Sequence, residues 1–231
     1  DSQEVVGAIL DGLHEDLNQS PGVKSQKMSS DLNALEAHRF NNQSIIVDLF
    51  YGSFVSYIKC PKCLHESRSY EPFLFLSLPV PRRATSSVTL LDCFKIFRQE
   101  EQLDANNLWK CPQCNENVRA KNSTSVYDAP PILIIHFKRF YGSGFFATKI
   151  DSDVKYPNEF PVSELNGSGS GNYHLFGAIF HSGGMNTGHY TSAAIDISSG
   201  KWYEFNDSSA RDISIQEAHS PRAYVLFYQK D

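Results

Sequence analysis

The chain has 231 residues, of which 21 are basic and 26 acidic, so its formal net charge at neutral pH is −5. This balance argues against nucleic-acid binding, which is typical of proteins with a basic excess. A hydrophobic content of 41% is that of an ordinary globular protein. No apolar run reaches the roughly twenty residues of a membrane helix, and no signal peptide opens the chain. We expect a soluble, intracellular protein in the cytoplasm, with the nucleus as the alternative compartment.

The first segment, DSQEVVGAILDGLHEDL, predicts an amphipathic helix. Its apolar residues recur at helical spacing, and Asp1 followed by Glu4 has the form of a capping box. A polar stretch over 18–42 follows, which we interpret as a loop with a short helix around ALEAHRF. Because the chain begins on a helix cap, and with Asp1 in place of Met, we expect it to be part of a longer protein.

The rest of the chain is rich in predicted strands. SIIVDLFYGSFVSYIKC predicts two strands around Gly52, and SYEPFLFLSLPV and PPILIIHFKRF predict further extended segments. TLLDCFKIFRQEEQL has helical spacing, LWKCPQCNENVRAKNSTSVYD predicts a hairpin, and four strand-like runs occupy the C-terminal third. NGSGSGN, residues 166–172, has a linker composition and is either a natural loop or a replacement for a longer insertion. The predicted class is α+β with mostly antiparallel strands.

Four of the five cysteines form two CxxC pairs, Cys60 with Cys63 and Cys111 with Cys114. Two such pairs can supply the four thiolates of a tetrahedral structural zinc site, and disulfides are the alternative. The fifth, Cys93, lies on the apolar side of the predicted helix LLDCFKIF, which favours a core position over a nucleophile.

A histidine and an asparagine in the C-terminal third have the order of two catalytic-triad members. His189 stands in GHYTSA, and Asn206 with Asp207 stands in FNDSS. An imidazole can take a proton from a thiol, and an Asn or Asp can hold that imidazole in one tautomer. The alternatives are a solvated strand-end histidine and a turn asparagine. With Cys93 in the core, this histidine has no obvious nucleophile within the chain.

Several stretches together resemble the ubiquitin-specific protease family, the papain-like cysteine peptidases that remove ubiquitin. They are DSQEVVGAILDGLHEDL, the two CPxC pairs, PPILIIHFKRF, GHYTSA, WYEFNDSS and AYVLFYQ, and they stand in the family's order over nearly the whole chain. The resemblance implies a thumb portion at 1–44, fingers with the zinc site and an inserted helix at 45–130, and a palm at 131–231. It also implies that the block carrying the catalytic cysteine, with the N-terminal part of the thumb, is missing. That block is expected to cover part of the first helix, and a separate chain that carries it is an option.

The resemblance assigns roles to single residues. It implies that His189 is the general base, that Asn206 orients it, and that Asp207 binds a water or polarises the site. Six residues are implied in binding ubiquitin's C-terminal tail: Asp1, Gln3, Glu4, Phe140, Gly188 and Tyr190. Helix capping is the alternative for the first three, and core packing is the alternative for Phe140. The loops at 182–188 and 141–149 correspond to two loops that adjust when ubiquitin binds, while His136 and His181 are interpreted as structural.

The function implied is that of a deubiquitinating cysteine protease seen without its nucleophile. Its partners would be ubiquitin and ubiquitinated proteins, and its cofactor one structural zinc ion. Two alternatives stay open at this point. One is a catalytically inactive homologue that binds ubiquitin, and the other is a zinc-finger interaction module.

Overall fold

The computed structural model describes residues 1–20, 34–82, 87–141, 148–184 and 187–231. The helices in these ranges are α1 Ser2–Leu17, α2 Ala34–Asn41, α3 Ile45–Phe50, α4 Leu90–Phe97 and α5 Ser163–Asn166. None of them is long and apolar enough to cross a membrane. The strands of the same ranges form two larger sheets and three two-stranded pairs.

The larger sheet has eight strands and contains the C-terminal part of the chain. Its order is β17 (Ser209–Ile213), β16 (Lys201–Asn206), β15 (Gly188–Asp196), β14 (Asn172–Gly183), β18 (Ala223–Lys230), β9 (Ile132–Lys138) and β3 (Phe75–Pro79), with β13 (Glu159–Pro161) also paired to β14. Only β3 and β9 pair in parallel; the other pairs are antiparallel. The central strands β9 and β18 are continuous apolar runs because both of their faces are covered. Leu133, Ile135 and Leu226 are fully buried there.

The smaller sheet has the order β2 (Glu66–Phe73), β1 (Gly52–Lys59), β8 (Lys121–Asp128) and β5 (Glu101–Gln102). The two-stranded pairs are β6 (Trp109–Lys110) with β7 (Asn117–Val118), β10 (Phe140–Tyr141) with β11 (Thr148–Lys149), and β4 (Val88–Thr89) with β12 (Val154–Lys155). The turn between β1 and β2 contains one CxxC pair, and the turn between β6 and β7 contains the other. The predicted α+β class is confirmed.

The prediction of two strands around Gly52 is wrong in its first half. Residues 45–50 form helix α3, which Ser44 caps by accepting a hydrogen bond from the Val47 N–H at 3.3 Å. The apolar run Ile45–Val47 suggested a strand, but two consecutive buried residues, here Ile46 and Val47, also occur in a short helix. Gly52 then lies so close to the neighbouring strand that an added Cβ would be 2.5 Å from the Asp128 carbonyl oxygen.

The stretch with linker composition is an ordered turn. Asn166 ends α5, and its Oδ1 accepts hydrogen bonds from the backbone N–H groups of Ser168 and Gly169 at 3.1 and 2.8 Å. Gly167 has the left-handed φ of +78° that favours glycine after a helix. Strand β17 was not predicted, because its residues SARDI are mostly exposed and lack an apolar run. Of the predicted polar loop at 18–42, residues 21–33 lie outside the described ranges.

Helix α1 leaves one apolar ridge exposed among the described residues. Val5, Ile9, Leu13 and Leu17 follow one another at intervals of four residues and are 45–57% exposed. Leu10 on the opposite side is buried against the large sheet with Ile134 and Val225. The ridge is therefore an apolar surface that the described part of the chain does not cover.

The strand connection after β9 is held by a buried arginine. Arg139 is 2% exposed, and its guanidinium donates to the backbone carbonyls of Ala223 (2.8 Å), Ile150 (3.1 Å), Ser152 (2.8 Å) and Pro221 (3.0 Å). Burial lowers the pKa of Arg139. The planar fork of an arginine suits several carbonyls at once, so this one side chain joins three backbone segments.

Replacing this arginine should strongly destabilise the fold. Arg139→Met leaves four carbonyls without their donor, two of them in buried hydrogen bonds, and we expect the free energy of unfolding to fall by about 3 kcal/mol. Arg119→Met is the matched control, because Arg119 is exposed and should change stability by less than about 0.5 kcal/mol. Urea denaturation of both variants measures the difference. Equal stability of the two variants would contradict the assigned role.

Candidate active site

His189 and Asn206 form a hydrogen-bonded pair at one end of the large sheet. The distance from His189 Nε2 to Asn206 Oδ1 is 2.6 Å, and both residues are exposed. An amide oxygen only accepts hydrogen bonds, so the proton must be on Nε2. Nδ1 then carries the lone pair, and the imidazole is held ready to accept a proton from another group.

The strand register explains why these two side chains meet. The paired residues of β15 and β16 nearest the site are Ser192 and Phe205. One step further along the same register, Asn206 stands across from Thr191. His189 is two residues from Thr191 and therefore points to the same face of the sheet. It is a diagonal neighbour of Asn206, a separation that long side chains can span.

Asp207 follows directly at the end of β16 and is exposed. Its backbone has a left-handed φ of +50°, as is common for Asp and Asn in tight turns. It lines a cavity of about 590 Å³, here called the Phe205 cavity, together with Asp1, Val5, Tyr190 and Phe205. The one acidic residue of the FND motif thus follows Asn206 directly and is open to a ligand or water.

A second cavity lies next to the first. It has a volume of about 400 Å³, is here called the Tyr224 cavity, and is lined by Asp1, His136, Lys138, Arg139, Phe140, His181, Tyr190 and Tyr224. Tyr224 donates a hydrogen bond from its hydroxyl to Asp1 Oδ2 at 2.6 Å. Asp1, Phe140 and Tyr190, three of the residues expected to bind a peptide tail, therefore surround one cavity.

Asp1 also caps helix α1, but the reciprocal half of the predicted capping box, a hydrogen bond from Asp1 N–H to the Glu4 side chain, is not formed. Its Oδ1 accepts a hydrogen bond from the Gln3 N–H at 2.9 Å, so one carboxylate serves both the helix and the cavity. The Glu4 side chain is 78% exposed and lies 3.9 Å from the amino group of Asp1. Gln3 and Glu4 line neither the Phe205 cavity nor the Tyr224 cavity. Of the three residues from DSQE, only Asp1 is brought to the cavities.

Position 188 has room only for a glycine. A Cβ built on Gly188 would overlap the Nε2 atom of the buried His181 ring. The same ring contacts Phe140 and Tyr190, with centroid separations of 5.4 and 4.7 Å. Gly188 itself is exposed, so the start of β15 packs against the His181 ring on one face and is open to solvent on the other. Residues 185–186 of the loop at 182–188, and 142–147 of the loop at 141–149, lie outside the described ranges.

The four cysteines of the CxxC pairs meet at one point. Their Sγ atoms all lie within 4.8 Å of one another, with 3.8 Å between Cys60 and Cys114 and 3.5 Å between Cys63 and Cys111. A tetrahedral zinc ion with Zn–S bonds of about 2.3 Å requires S–S separations of about 3.8 Å. All five cysteines of the chain are unpaired, so the disulfide alternative is contradicted. The cluster fits a structural zinc site.

The two CxxC turns have the same backbone design. In the first, Leu64 N–H donates to the Cys60 carbonyl at 3.1 Å, and in the second, Asn115 N–H donates to the Cys111 carbonyl at 2.9 Å. Leu64 and Asn115 have left-handed φ values of +61° and +58°. Each turn therefore directs two thiols toward the other hairpin. When bound, zinc would link the two hairpins through all four thiolates.

Cys93 is buried in helix α4, as predicted. It is fully inaccessible, and burial raises the pKa of its thiol to about 12. A thiol in this setting is neutral at physiological pH and inert as a nucleophile. Cys93 is therefore not a candidate nucleophile for the histidine.

The whole chain matches a known protein family. The profile described as "Ubiquitin carboxyl-terminal hydrolase" matches residues 1–228. The chain belongs to the ubiquitin carboxyl-terminal hydrolase family. Ubiquitin carboxyl-terminal hydrolase 5 of Saccharomyces cerevisiae is 35% identical over an alignment 264 residues long, which covers 100% of this chain and 32% of the relative. Ubiquitin carboxyl-terminal hydrolase 2 of Gallus gallus is 32% identical, covering 99% of this chain and 68% of the relative.

Solved structures of the family have the same fold. The SAGA DUB module of Ubp8, Sgf11, Sus1 and Sgf73 bound to monoubiquitin aligns with a TM-score of 0.79 and 27% identity, over 100% of this chain and 48% of the solved chain. The same module bound to ubiquitin aldehyde aligns with a TM-score of 0.77 and 27% identity, over 100% and 49%. The ubiquitin-specific protease fold is thus confirmed. The chain spans about a third of the yeast relative and about half of each solved chain.

Sequence reasoning missed two residues near this candidate site. Tyr224 lines the Tyr224 cavity and bonds to Asp1, 223 positions away in the chain. Lys149 of β11 donates from its Nζ to the Gly183 carbonyl at the end of β14 at 2.8 Å. Neither residue stands in a recognisable spacing pattern. The stretch AYVLFYQ, which contains Tyr224, was the available signal for the first.

Zinc content tests the cysteine cluster directly. We expect one zinc ion per chain in the purified protein and in the Cys93→Ala variant, because Cys93 is remote from the four thiols. Cys111→Ser should lose the metal, since three thiolates bind far more weakly than four. Elemental analysis of desalted protein measures the ratio. Retention of a full equivalent by Cys111→Ser would contradict the assignment.

Acidification should destabilise the fold through a partly buried histidine. Burial lowers the pKa of His136 to about 4, and the charge of Lys138 adds to the shift. The unfolded chain binds this proton with a pKa of about 6.5, so stability is complete above that pH and falls as the pH drops toward 4. Between pH 7 and 5.5 we expect this group to lower the free energy of unfolding by about 1 kcal/mol.

The pH dependence of urea denaturation measures this loss. His136→Gln should flatten the decline, and His174→Gln, at an exposed histidine, should leave it unchanged. The slopes with pH are compared, so a constant destabilisation by either substitution does not interfere. An identical slope in wild type and His136→Gln would refute the prediction.

Proposed function

We propose that this chain is the greater part of the catalytic domain of a deubiquitinating cysteine protease. It would hydrolyse peptide or isopeptide bonds after the C-terminal glycine of ubiquitin. The observation that carries the proposal is the 2.6 Å hydrogen bond from His189 Nε2 to Asn206 Oδ1, which leaves Nδ1 free as a base. Membership of the ubiquitin carboxyl-terminal hydrolase family supports the same reaction.

The nucleophile is proposed to come from a segment outside this sequence. Four of the five cysteines are in the zinc cluster, and the fifth, Cys93, is buried. The exposed ridge of α1 offers an apolar surface on which such a segment can pack. The segment either precedes this sequence in one protein or belongs to a separate chain.

The roles of the residues in this chain follow from their chemistry. His189 Nδ1 takes the proton of the thiol as it attacks the glycine carbonyl, and the imidazolium then protonates the leaving amine. A water later releases the acyl group from sulfur, with His189 again accepting its proton. Asn206 keeps the imidazole in the Nε2–H tautomer throughout, and the exposed Asp207 beside it holds or polarises a water.

Ubiquitin's tail is proposed to pass along the Tyr224 and Phe205 cavities. The Asp1 carboxylate reaches both cavities and can accept hydrogen bonds from an arginine of the tail. Phe140 and Tyr190 supply aromatic walls, and Gly188 leaves room for a narrow glycine segment beside His189. Gln3 and Glu4 are proposed to contact the tail from the exposed start of α1.

The partners are proposed to be ubiquitin and ubiquitinated proteins, in the cytoplasm or the nucleus. The solved SAGA module that resembles this chain is bound to monoubiquitin. We also propose the division into thumb (1–44), fingers (45–130) and palm (131–231). Within the middle range, β3 pairs with β9 of the large sheet, so the fingers proper consist of the smaller sheet and the zinc hairpins.

The alternative is an inactive homologue that only binds ubiquitin. It is favoured by the absence of a usable cysteine among the five in this chain. It does not explain why two exposed side chains are fixed in one hydrogen-bonded geometry that packing does not require. A zinc-finger interaction module explains neither that pair nor the eight-stranded sheet.

The test uses the protein with its native flanking sequence and a ubiquitin substrate with a fluorogenic C-terminal amide. His189→Gln should lower kcat/KM by about a thousandfold or more, because the general base is lost. Asn206→Ala should lower kcat more modestly with KM nearly unchanged. His174→Gln, at an exposed histidine of the same sheet, should retain wild-type activity.

A ubiquitin with a thiol-reactive C-terminus separates the alternatives. An adduct on a cysteine outside this sequence supports the proposal. Binding of ubiquitin without hydrolysis or adduct would instead establish the inactive homologue. An adduct on Cys93 would show that the nucleophile assignment is wrong.

A further inference from the structure

Lys149 is a nearly buried lysine with an unusual set of partners. Its side chain is 14% exposed, and its Nζ donates to the backbone carbonyls of Gly183 at 2.8 Å and His181 at 3.3 Å. An oxygen of the exposed Asp151 carboxylate is 3.7 Å from Nζ, farther than either carbonyl. The ammonium group is therefore directed mainly at the backbone of β14.

The two carbonyls flank the residue of β14 that pairs with His189. In the register of β14 and β15, Ser182 stands opposite His189 and Gly183 opposite Gly188. Ser182 also donates from its hydroxyl to the His189 carbonyl at 3.4 Å. Lys149 thus holds both neighbours of the residue against which the histidine's backbone is aligned.

This end of β14 has little else to fix it. Strand β18 begins opposite Phe180, and the His181 N–H donates to the carbonyl of Arg222 just before that strand. Beyond this point the described residues provide no further strand on that side of β14. Gly183 has a left-handed φ of +94° and no side chain to pack. Lys149 donates to the His181 and Gly183 carbonyls, the hydrogen bonds that a neighbouring strand would otherwise make.

Lys149 is itself rigidly held. Its backbone pairs with Phe140 in the two-stranded sheet of β10 and β11. The next residue, Ile150, donates to the Arg139 carbonyl at 2.7 Å and accepts from the Arg139 guanidinium at 3.1 Å. The buried Arg139 therefore fixes the backbone next to Lys149, and the lysine side chain extends from there to β14.

We propose that Lys149 is a positioning residue for His189. By fixing the strand end opposite His189, it keeps the imidazole within the 2.6 Å hydrogen bond to Asn206, which two exposed side chains cannot maintain by packing. The predicted effect of Lys149 on turnover rests on the proposed function. The predicted effect on the tautomer of His189 does not, because it requires neither a nucleophile nor a substrate.

The first experiment reads that tautomer. The zinc-loaded protein with its flanking sequence is labelled with 15N at histidine only, and the ring nitrogens are observed by long-range proton–nitrogen NMR, with His189→Gln for assignment. Wild type should show the Nε2–H form. Lys149→Met should shift His189 toward a mixture with the Nδ1–H form, Lys149→Arg should restore most of the wild-type signal, and Lys155→Met, at an exposed lysine of β12, should change nothing.

The second experiment measures turnover of the fluorogenic ubiquitin substrate. Lys149→Met should lower kcat by about tenfold to a hundredfold, the scale on which small misplacements act, with KM changed less than about twofold. A normal tautomer with unchanged kcat would overturn the proposal. A tautomer shift in a protein that is inactive even as wild type would support the positioning role and refute only the proposed function.

A third variant covers the case in which Lys149→Met does not fold. Gly183→Ala keeps the lysine but forces a side chain into a left-handed position where its Cβ would overlap the Thr187 carbonyl oxygen. It displaces the same strand end, so it should produce the same tautomer shift and the same loss of kcat. A folded Gly183→Ala protein with a wild-type His189 spectrum would contradict the proposal.

Discussion

The candidate active site depends on the antiparallel register of three neighbouring strands, β14, β15 and β16. The β15–β16 register makes His189 and Asn206 diagonal neighbours on one face. The β14–β15 register pairs Gly183 with Gly188, the residue that precedes His189. A shift of one residue in either pairing would turn His189 away from its partner, because side chains alternate between the faces of a sheet. The buried strands β18 and β9 prevent such a shift by fixing β14 in the core.

The smaller sheet depends on a different constraint. Only a small cluster packs around its zinc hairpins, with Cys60, Cys111, Val118 and Ala120 as its buried members. Such a cluster is too small to hold two hairpins that are separated by about fifty residues of chain. The four converging thiols supply that link when zinc is bound, and metal binding then contributes directly to folding. The catalytic and the structural sites are thus stabilised by separate means, one by sheet packing and one by coordination.

Cationic side chains join the loops of the active-site end to this scaffold. Arg139 satisfies four carbonyls of two other segments, and Lys149 satisfies two carbonyls at the open end of β14. Both act on backbone carbonyls and not on Asp1, whose two carboxylate oxygens each accept one hydrogen bond, from Gln3 N–H and from the Tyr224 hydroxyl.

The sequence by itself determined the α+β class, the family, the four thiols of the zinc site and the candidate pair of His189 with Asn206. These follow from local signals: the spacing of cysteines, the apolar periodicity and short motifs that each lie within one strand or turn. Only the tertiary structure decided that Asp1, but not Gln3 or Glu4, reaches the cavities, that Ile45–Phe50 is a helix, that Tyr224 bonds to Asp1, and that Lys149 contacts the end of β14. Those outcomes depend on contacts between residues up to 223 positions apart, which local periodicity does not encode.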